Sequence, residues 1–219
     1  MKKTLLLFLL ILPLTTFAQT SIVPSIGFGQ SKLDMGDRYE SAYGGINAKM
    51  GYNILFAFRQ SFSIFFVSAG IGYQDFTAES EKEVIYSAGS TQGEKAKLKY
   101  GEIFVPASIG LKFDKLKVYP LIELGAMLSF PTKLKDVVSR DNAGNTHLAG
   151  EARGSVISFF GQAGVGYSIT EILGVEAKFR YSFSDNVSKY ETKYSNGNIY
   201  IHSSSWQFMG AQLSLVVKM

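Results

Sequence analysis

His202-Ser203-Ser204 is the one stretch of this chain that hints at nucleophilic catalysis. On an extended strand His202 and Ser204 share a face, so the imidazole could take the serine's proton. A working triad also needs a carboxylate to orient the imidazole, and Glu191 is the candidate. Such spacing arises readily by chance, and a polar hairpin face is the expected reading; the chain is not expected to be an enzyme. The other chemistry-bearing residues are charges: Lys49, Glu102, Lys112, Glu123, Glu176, Lys178, Arg180 and Lys218. Their signs are mixed, so if they are enclosed together they must pair or be hydrated. Arg180 is expected to pair with Glu176 or Glu123. Glu79, Glu81 and Glu83 could gather calcium, but a solvated charged loop is by far the expected reading. Gly27-Phe28-Gly29 and Gly70-Ile71-Gly72 lack the third glycine and following helix of a dinucleotide loop, which leaves backbone bending and close packing as their use. The chain has no Cys and two His, so it holds no disulfide, no catalytic thiol and no multi-histidine metal site. No cofactor is expected.

What would position these charges is strand alternation. Val175, Ala177, Phe179, Tyr181 and Phe183 alternate with Glu176, Lys178, Arg180, Ser182 and Ser184. Ile103, Val105, Ala107, Ile109 and Leu111 alternate with Glu102, Phe104, Pro106, Ser108, Gly110 and Lys112, and Phe65 to Gln74 repeats the pattern. The last stretch sets Met209, Ala211, Leu213, Leu215 and Val217 against Phe208, Gly210, Gln212, Ser214, Val216 and Lys218. Period two with one wholly apolar face argues for strands. Apolar faces turned to lipid and polar faces turned to a lumen make a transmembrane barrel, which must close because hydrocarbon satisfies no backbone group. A small soluble-ligand barrel would invert the two faces.

The fold predicted is all-β: an eight-stranded antiparallel up-and-down transmembrane barrel. The expected strands lie near 22–30, 42–53, 62–75, 98–113, 116–130, 154–168, 172–188 and 199–219. Short connections near 54–61, 114–115 and 169–171 would be periplasmic turns. Longer ones near 31–41, 76–97, 131–153 and 189–198 would be outward loops, and both mature termini would then be periplasmic. Two of the loops read as hairpins, with tips at Asn142-Ala143-Gly144-Asn145 and Ser195-Asn196-Gly197-Asn198. If the second of these hairpins extends strand seven to Tyr194, it stands well clear of the membrane. Tyr52, Phe113 and Tyr167 are expected at the periplasmic interface, and Tyr73, Tyr181 and Phe183 at the outer one.

Residues 1–18 have the form of a cleaved secretory signal: basic Lys2 and Lys3, the apolar run Leu5 to Leu12, and Thr16-Phe17-Ala18 before Gln19. The run is too short for a membrane helix, which takes about 20 residues. Residues 19–219 form one barrel domain. Cleavage removes two of the four net positive charges, so composition gives nucleic-acid binding no support.

Gly70-Ile71-Gly72-Tyr73 and Gly164-Val165-Gly166-Tyr167, with the Ala18-Gln19 junction, resemble the small outer-membrane β-barrel family of Bacteroidota-type bacteria called porin-family or PorT-like. The resemblance covers about residues 19–219 and implies no catalytic signature. The terminal strand resembles the signal read by the barrel-insertion machinery, with Gly210, Leu213 and Leu215 at its glycine and hydrophobic positions. It departs at Phe208 and at the terminal Met219. The function expected is non-enzymatic, structural or surface-interactive, in the outer membrane of a Gram-negative bacterium. Expected partners are outer-membrane lipid, the insertion machinery, and a surface protein or glycan. A narrow porin-like channel is the next reading. A lipid A-modifying enzyme follows, since His202 and Ser204 are similar to the His and Ser at the outer rim of such barrels. An accessory secretion role, implied only by the resemblance, comes last.

Overall fold

A computed structural model describes residues 19–34, 46–84, 94–113, 116–134, 138–140, 146–148, 155–184, 189–193, 199–203 and 205–219. The proposed signal, residues 1–18, lies outside them, as do the two hairpin tips.

Eight long strands form the wall: β1 (Gln19–Asp34), β3 (Met50–Phe62), β4 (Phe65–Val84), β5 (Glu94–Lys112), β6 (Val118–Leu134), β9 (Val156–Ser168), β10 (Leu173–Ser184) and β13 (Ser205–Lys218). Each pairs antiparallel with its neighbour, and β1 closes on β13 from Ser21↔Lys218 to Asp34↔Ser205. The order is a plain up-and-down meander, so every strand edge in the wall is paired. Five short strands lie at the long-loop end. β2 (Ile46–Ala48) pairs with β4, while β7 (Val138–Arg140), β8 (Thr146–Leu148), β11 (Lys189–Lys193) and β12 (Ile199–Ser203) form a separate four-stranded sheet. The hairpins after β6 and β10 therefore pair with each other, through Glu191↔Leu148, Thr192↔His147 and Lys193↔Thr146. β10 and β11 belong to different sheets, and residues 185–188 between them and Tyr194 lie outside the described residues.

The faces are inverted relative to a soluble protein. Ile54, Phe56, Phe58, Ile109, Leu124 and Leu213 are exposed on the outside, while Arg59, Glu102, Lys112, Glu123, Glu176, Lys178 and Arg180 are buried within. Charged residues are almost never buried without partners, and continuous exposed apolar surface demands an apolar environment. This polarity is the opposite of a soluble ligand-carrying barrel.

The second strand falls later than the sequence suggested. Residues 54–61 belong to β3, and the turn is the two-residue Ser63-Ile64, with Ser63 at φ 56°. The strand's burial alternates through Arg59-Gln60-Ser61, with Arg59 and Ser61 inward. Tyr52 accordingly sits at the long-loop end, with its ring 6.3 Å from that of Tyr73, and not at the opposite interface. Likewise β4 continues to Val84, so Glu79, Glu81 and Glu83 lie in a strand and not in a loop.

Candidate functional site: a lumen filled with paired side chains

Narrow barrels leave an interior that side chains can fill. Here aromatic rings and glycines share the space across strands. Phe104 lies opposite Gly72, Phe66 opposite Gly110, Tyr119 opposite Gly166 and Phe160 opposite Gly125. A Cβ at Gly110 or Gly166 would collide with the Phe66 or Tyr119 ring, so glycine is required there by close approach.

At the short-turn end Arg59 grips Glu176 with two bonds, Nη1 to Oε1 at 2.6 Å and Nη2 to Oε2 at 3.0 Å. Lys178 Nζ stands 3.6 Å from Glu176 Oε2, and Tyr119 donates its hydroxyl to Oε1 at 3.2 Å. The Arg59 guanidinium also lies 4.4 Å from the Phe66 ring centroid. A planar fork matched to a carboxylate, with further donors on the remaining lone pairs, is what an enclosed ion pair needs.

Midway, Glu123 accepts from Ser108 Oγ and Gln162 Nε2. Arg180 does not pair with Glu176 or Glu123 as expected. Its guanidinium packs 4.6 Å from the Phe160 ring and 5.4 Å from Phe104, and Nη2 donates to Met127 Sδ at 3.0 Å. Of the two carboxylates expected for it, Glu176 is held by Arg59 from the facing wall and Glu123 by Ser108 and Gln162.

At the long-loop end Glu102 accepts from Tyr100 OH at 2.6 Å and from Gln74 Nε2. Above it the rings of Phe76, Tyr100, Trp206 and Phe208 gather: Tyr100 and Trp206 stack at 5.1 Å, Phe76 and Trp206 at 6.0 Å, and Phe76 meets Phe208 at 5.2 Å.

Of the charges singled out in the sequence, Glu102, Lys112, Glu123, Glu176, Lys178 and Arg180 are buried in the lumen. Lys218 is half-buried at the short-turn end. Lys49 is not in the lumen: it precedes β3, is exposed, and its backbone N–H donates to Thr77 O at 3.0 Å. Starting the strand too early assigned Lys49 to the lumen and missed Arg59. The alternation of Asn53, Leu55, Ala57, Arg59 and Ser61 against Ile54, Phe56 and Phe58 was the signal that could have found it. In the terminal strand Leu213 and Leu215 face outward and Gly210 inward.

In the backbone register of the outer sheet, position 191 is paired with 201 and position 190 with 202. Ser204 lies outside the described residues. Among the described residues no group of three His, Asp or Glu is placed to hold a metal ion.

Closed walls, an apolar exterior and a polar, side-chain-filled interior define a small transmembrane β-barrel. No protein-family model matches the chain, and no curated protein matches it. Among solved structures it is similar to Neisserial surface protein A, at 14% identity and TM-score 0.49 over 92% of this chain and 99% of that one. It is also similar to the outer membrane protease OmpT from Escherichia coli, at 8% and 0.44 over 92% and 95%. A third is Ail, the attachment invasion locus protein of Yersinia pestis, at 14% and 0.38 over 90% and 99%. None reaches a TM-score of 0.5, and no functional conclusion follows from them.

Proposed function

We propose that this is a non-enzymatic barrel of a Gram-negative outer membrane, with a structural or surface-interaction role exercised through its long-loop end. One observation carries this reading. Among the described residues the lumen is filled by an ion-paired cluster at the short-turn end and by stacked rings at the long-loop end, while the hairpins continue beyond it into a sheet of their own. A filled lumen supports neither a wide pore nor a substrate channel, and an ordered platform supplies a surface for recognition. In this orientation the short turns and both mature termini are periplasmic and the platform faces outward, toward a surface protein or glycan. The exterior band contacts outer-membrane lipid, and β13 carries the insertion signal.

Two measurements test it together. Purified protein in planar bilayers is expected to give no steady open-pore current. Mass spectrometry of lipid A from cells with and without the protein is expected to show the same acyl pattern. A steady large current would move the channel reading ahead. An altered acyl pattern that vanishes in His202→Ala would replace this proposal with an enzyme.

A further inference from the structure

The outward apolar surface does not stop where the strands do. At the short-turn end Leu116, Ile169 and Ile172 lie in the turns themselves, 60%, 47% and 66% exposed. Turns that face water favour Gly, Asn, Asp, Ser and Pro instead. These side chains stand on a well-bonded backbone. Ile169 and Thr170 both donate their N–H groups to Leu173 O, at 2.9 and 3.0 Å, and Leu173 N–H donates to Thr170 Oγ1 at 3.0 Å. Ser168 N–H donates to Lys117 O at 2.9 Å, which ties this turn to the one before β6. The two turns therefore form one arc of the rim. Next to it along the strands, Val118, Tyr167 and Val175 are cross-strand neighbours, all exposed on the outside. The lipid-facing band thus runs unbroken into the arc. Across the barrel, on β1 and β3, the outward residues near this end are Thr20 and Gln60, which hydrogen-bond to each other at 2.8 Å.

Lys117 indicates what covers the arc. Its ammonium stands 5.5 Å from the Tyr167 ring centroid, within cation–π range. A cation held over an aromatic ring beside exposed aliphatic side chains suits a layer that is apolar on one side and anionic on the other. Hydrocarbon would exclude Lys117 and Glu171, the exposed acid at the turn's tip. Water would leave Leu116, Ile169 and Ile172 bare. The headgroup layer satisfies both demands.

We propose that this arc is sunk in the headgroup layer of the leaflet at the short-turn end. There Lys117 binds the phosphate of an anionic phospholipid, and Leu116, Ile169 and Ile172 lie against the first methylenes of its acyl chains. The barrel then sits obliquely, deeper along β6 and β9 than along β1 and β3. The inference rests on the membrane-barrel reading and adds to it which flank sits deeper and which lipid that flank selects.

The chain has no cysteine, so a single introduced thiol can carry a probe. Ile172→Cys and, as the contrast, Ser63→Cys at the exposed β3–β4 turn are labelled with bimane in the full-length mature protein. Each is inserted into phosphatidylcholine vesicles containing phosphatidylglycerol in both leaflets, so the direction of insertion does not matter. Heat-modifiable gel migration is checked first; a chain that forms no barrel removes the membrane-barrel reading and this proposal with it. The Ile172 label is expected to be shielded from aqueous acrylamide and quenched by lipids brominated near the acyl carbonyl, and the Ser63 label the reverse. Brominated phosphatidylglycerol should associate with the Ile172 site about fivefold more tightly than brominated phosphatidylcholine, the scale of one lysine at an anionic surface. Lys117→Gln should remove at least half of that preference. An Ile172 label as open to acrylamide as the Ser63 label overturns the proposal and leaves the barrel standing; if that label is shielded in intact cell envelopes, the arc belongs to a protein partner instead. Equal association of the two lipids, or a preference unchanged in Lys117→Gln, also overturns it. If Ile172→Cys alone fails to form the barrel, Ile169→Cys decides by the same criteria.

Discussion

The two ends of the lumen solve the same packing problem with different chemistry. At the short-turn end opposite charges lock strands together: Arg59 on β3 reaches Glu176 on β10, with Lys178 and Tyr119 beside them. At the long-loop end the wall is braced by stacked rings, and the Glu102 carboxyl accepts hydrogen bonds from Tyr100 and Gln74. Ion pairs gripped in two directions tolerate little displacement, because either partner left alone is a buried bare charge. Stacked rings carry no net charge, so a shift among them leaves no bare charge behind. The short-turn end thus acts as the rigid half, and the end bearing the hairpins as the adaptable one.

The largest expected effect tests the rigid half. Glu176→Ala leaves Arg59 and Lys178 as two buried cations without their carboxylate. It should cost roughly 3–5 kcal/mol, read as a lowered midpoint of urea unfolding in vesicles. A loss below about 1 kcal/mol, the size of an exposed surface pair, would show that water already solvates the cluster. Next, Gly110→Val drives a side chain into the Phe66 ring beneath Arg59 and should destabilise by about 1–3 kcal/mol, as overpacking does. No change in the heating temperature at which gel migration shifts would mean that the ring swings aside freely.

Smaller again is Arg180→Met. The guanidinium's contacts are a sulfur and two rings, so an apolar chain of similar length should cost less than about 1.5 kcal/mol. A loss matching Glu176→Ala would erase the distinction between the halves. The smallest effect is expected on conductance in Trp206→Ala. Removing a ring from the adaptable end should leave bilayer currents at baseline, since the ion-paired half still fills the lumen. A steady current from this variant would place the barrier among the rings instead.

Much of this architecture was legible in the strand pattern. Alternation at Val175 to Ser184, at Ile103 to Lys112 and in the last stretch put the correct residues outside and inside, because a period of two allows no other assignment once one face is apolar. The Asn-Gly and Asn-Ala-Gly-Asn tips marked hairpins whose flanking strands do pair. The sequence reading erred at 54–61, where it placed a connection: Arg59 and Ser61 are polar because they line the lumen, and composition alone cannot distinguish that from solvent. That single slip displaced Tyr52 to the wrong interface, put Lys49 in the lumen and hid the residue that holds Glu176.

The sequence by itself determined the local matters: strands, their two faces, their number, and that inward charges of both signs must find partners. Only the tertiary structure decided which partners. Arg59 and Glu176 are 117 residues apart, and they meet because closure brings β3 and β10 to face each other across the lumen. The same closure set Arg180 against Phe160, Phe104 and Met127. Pairing across a lumen depends on register and on the circumference of the closed sheet, and neither quantity is written in any one strand.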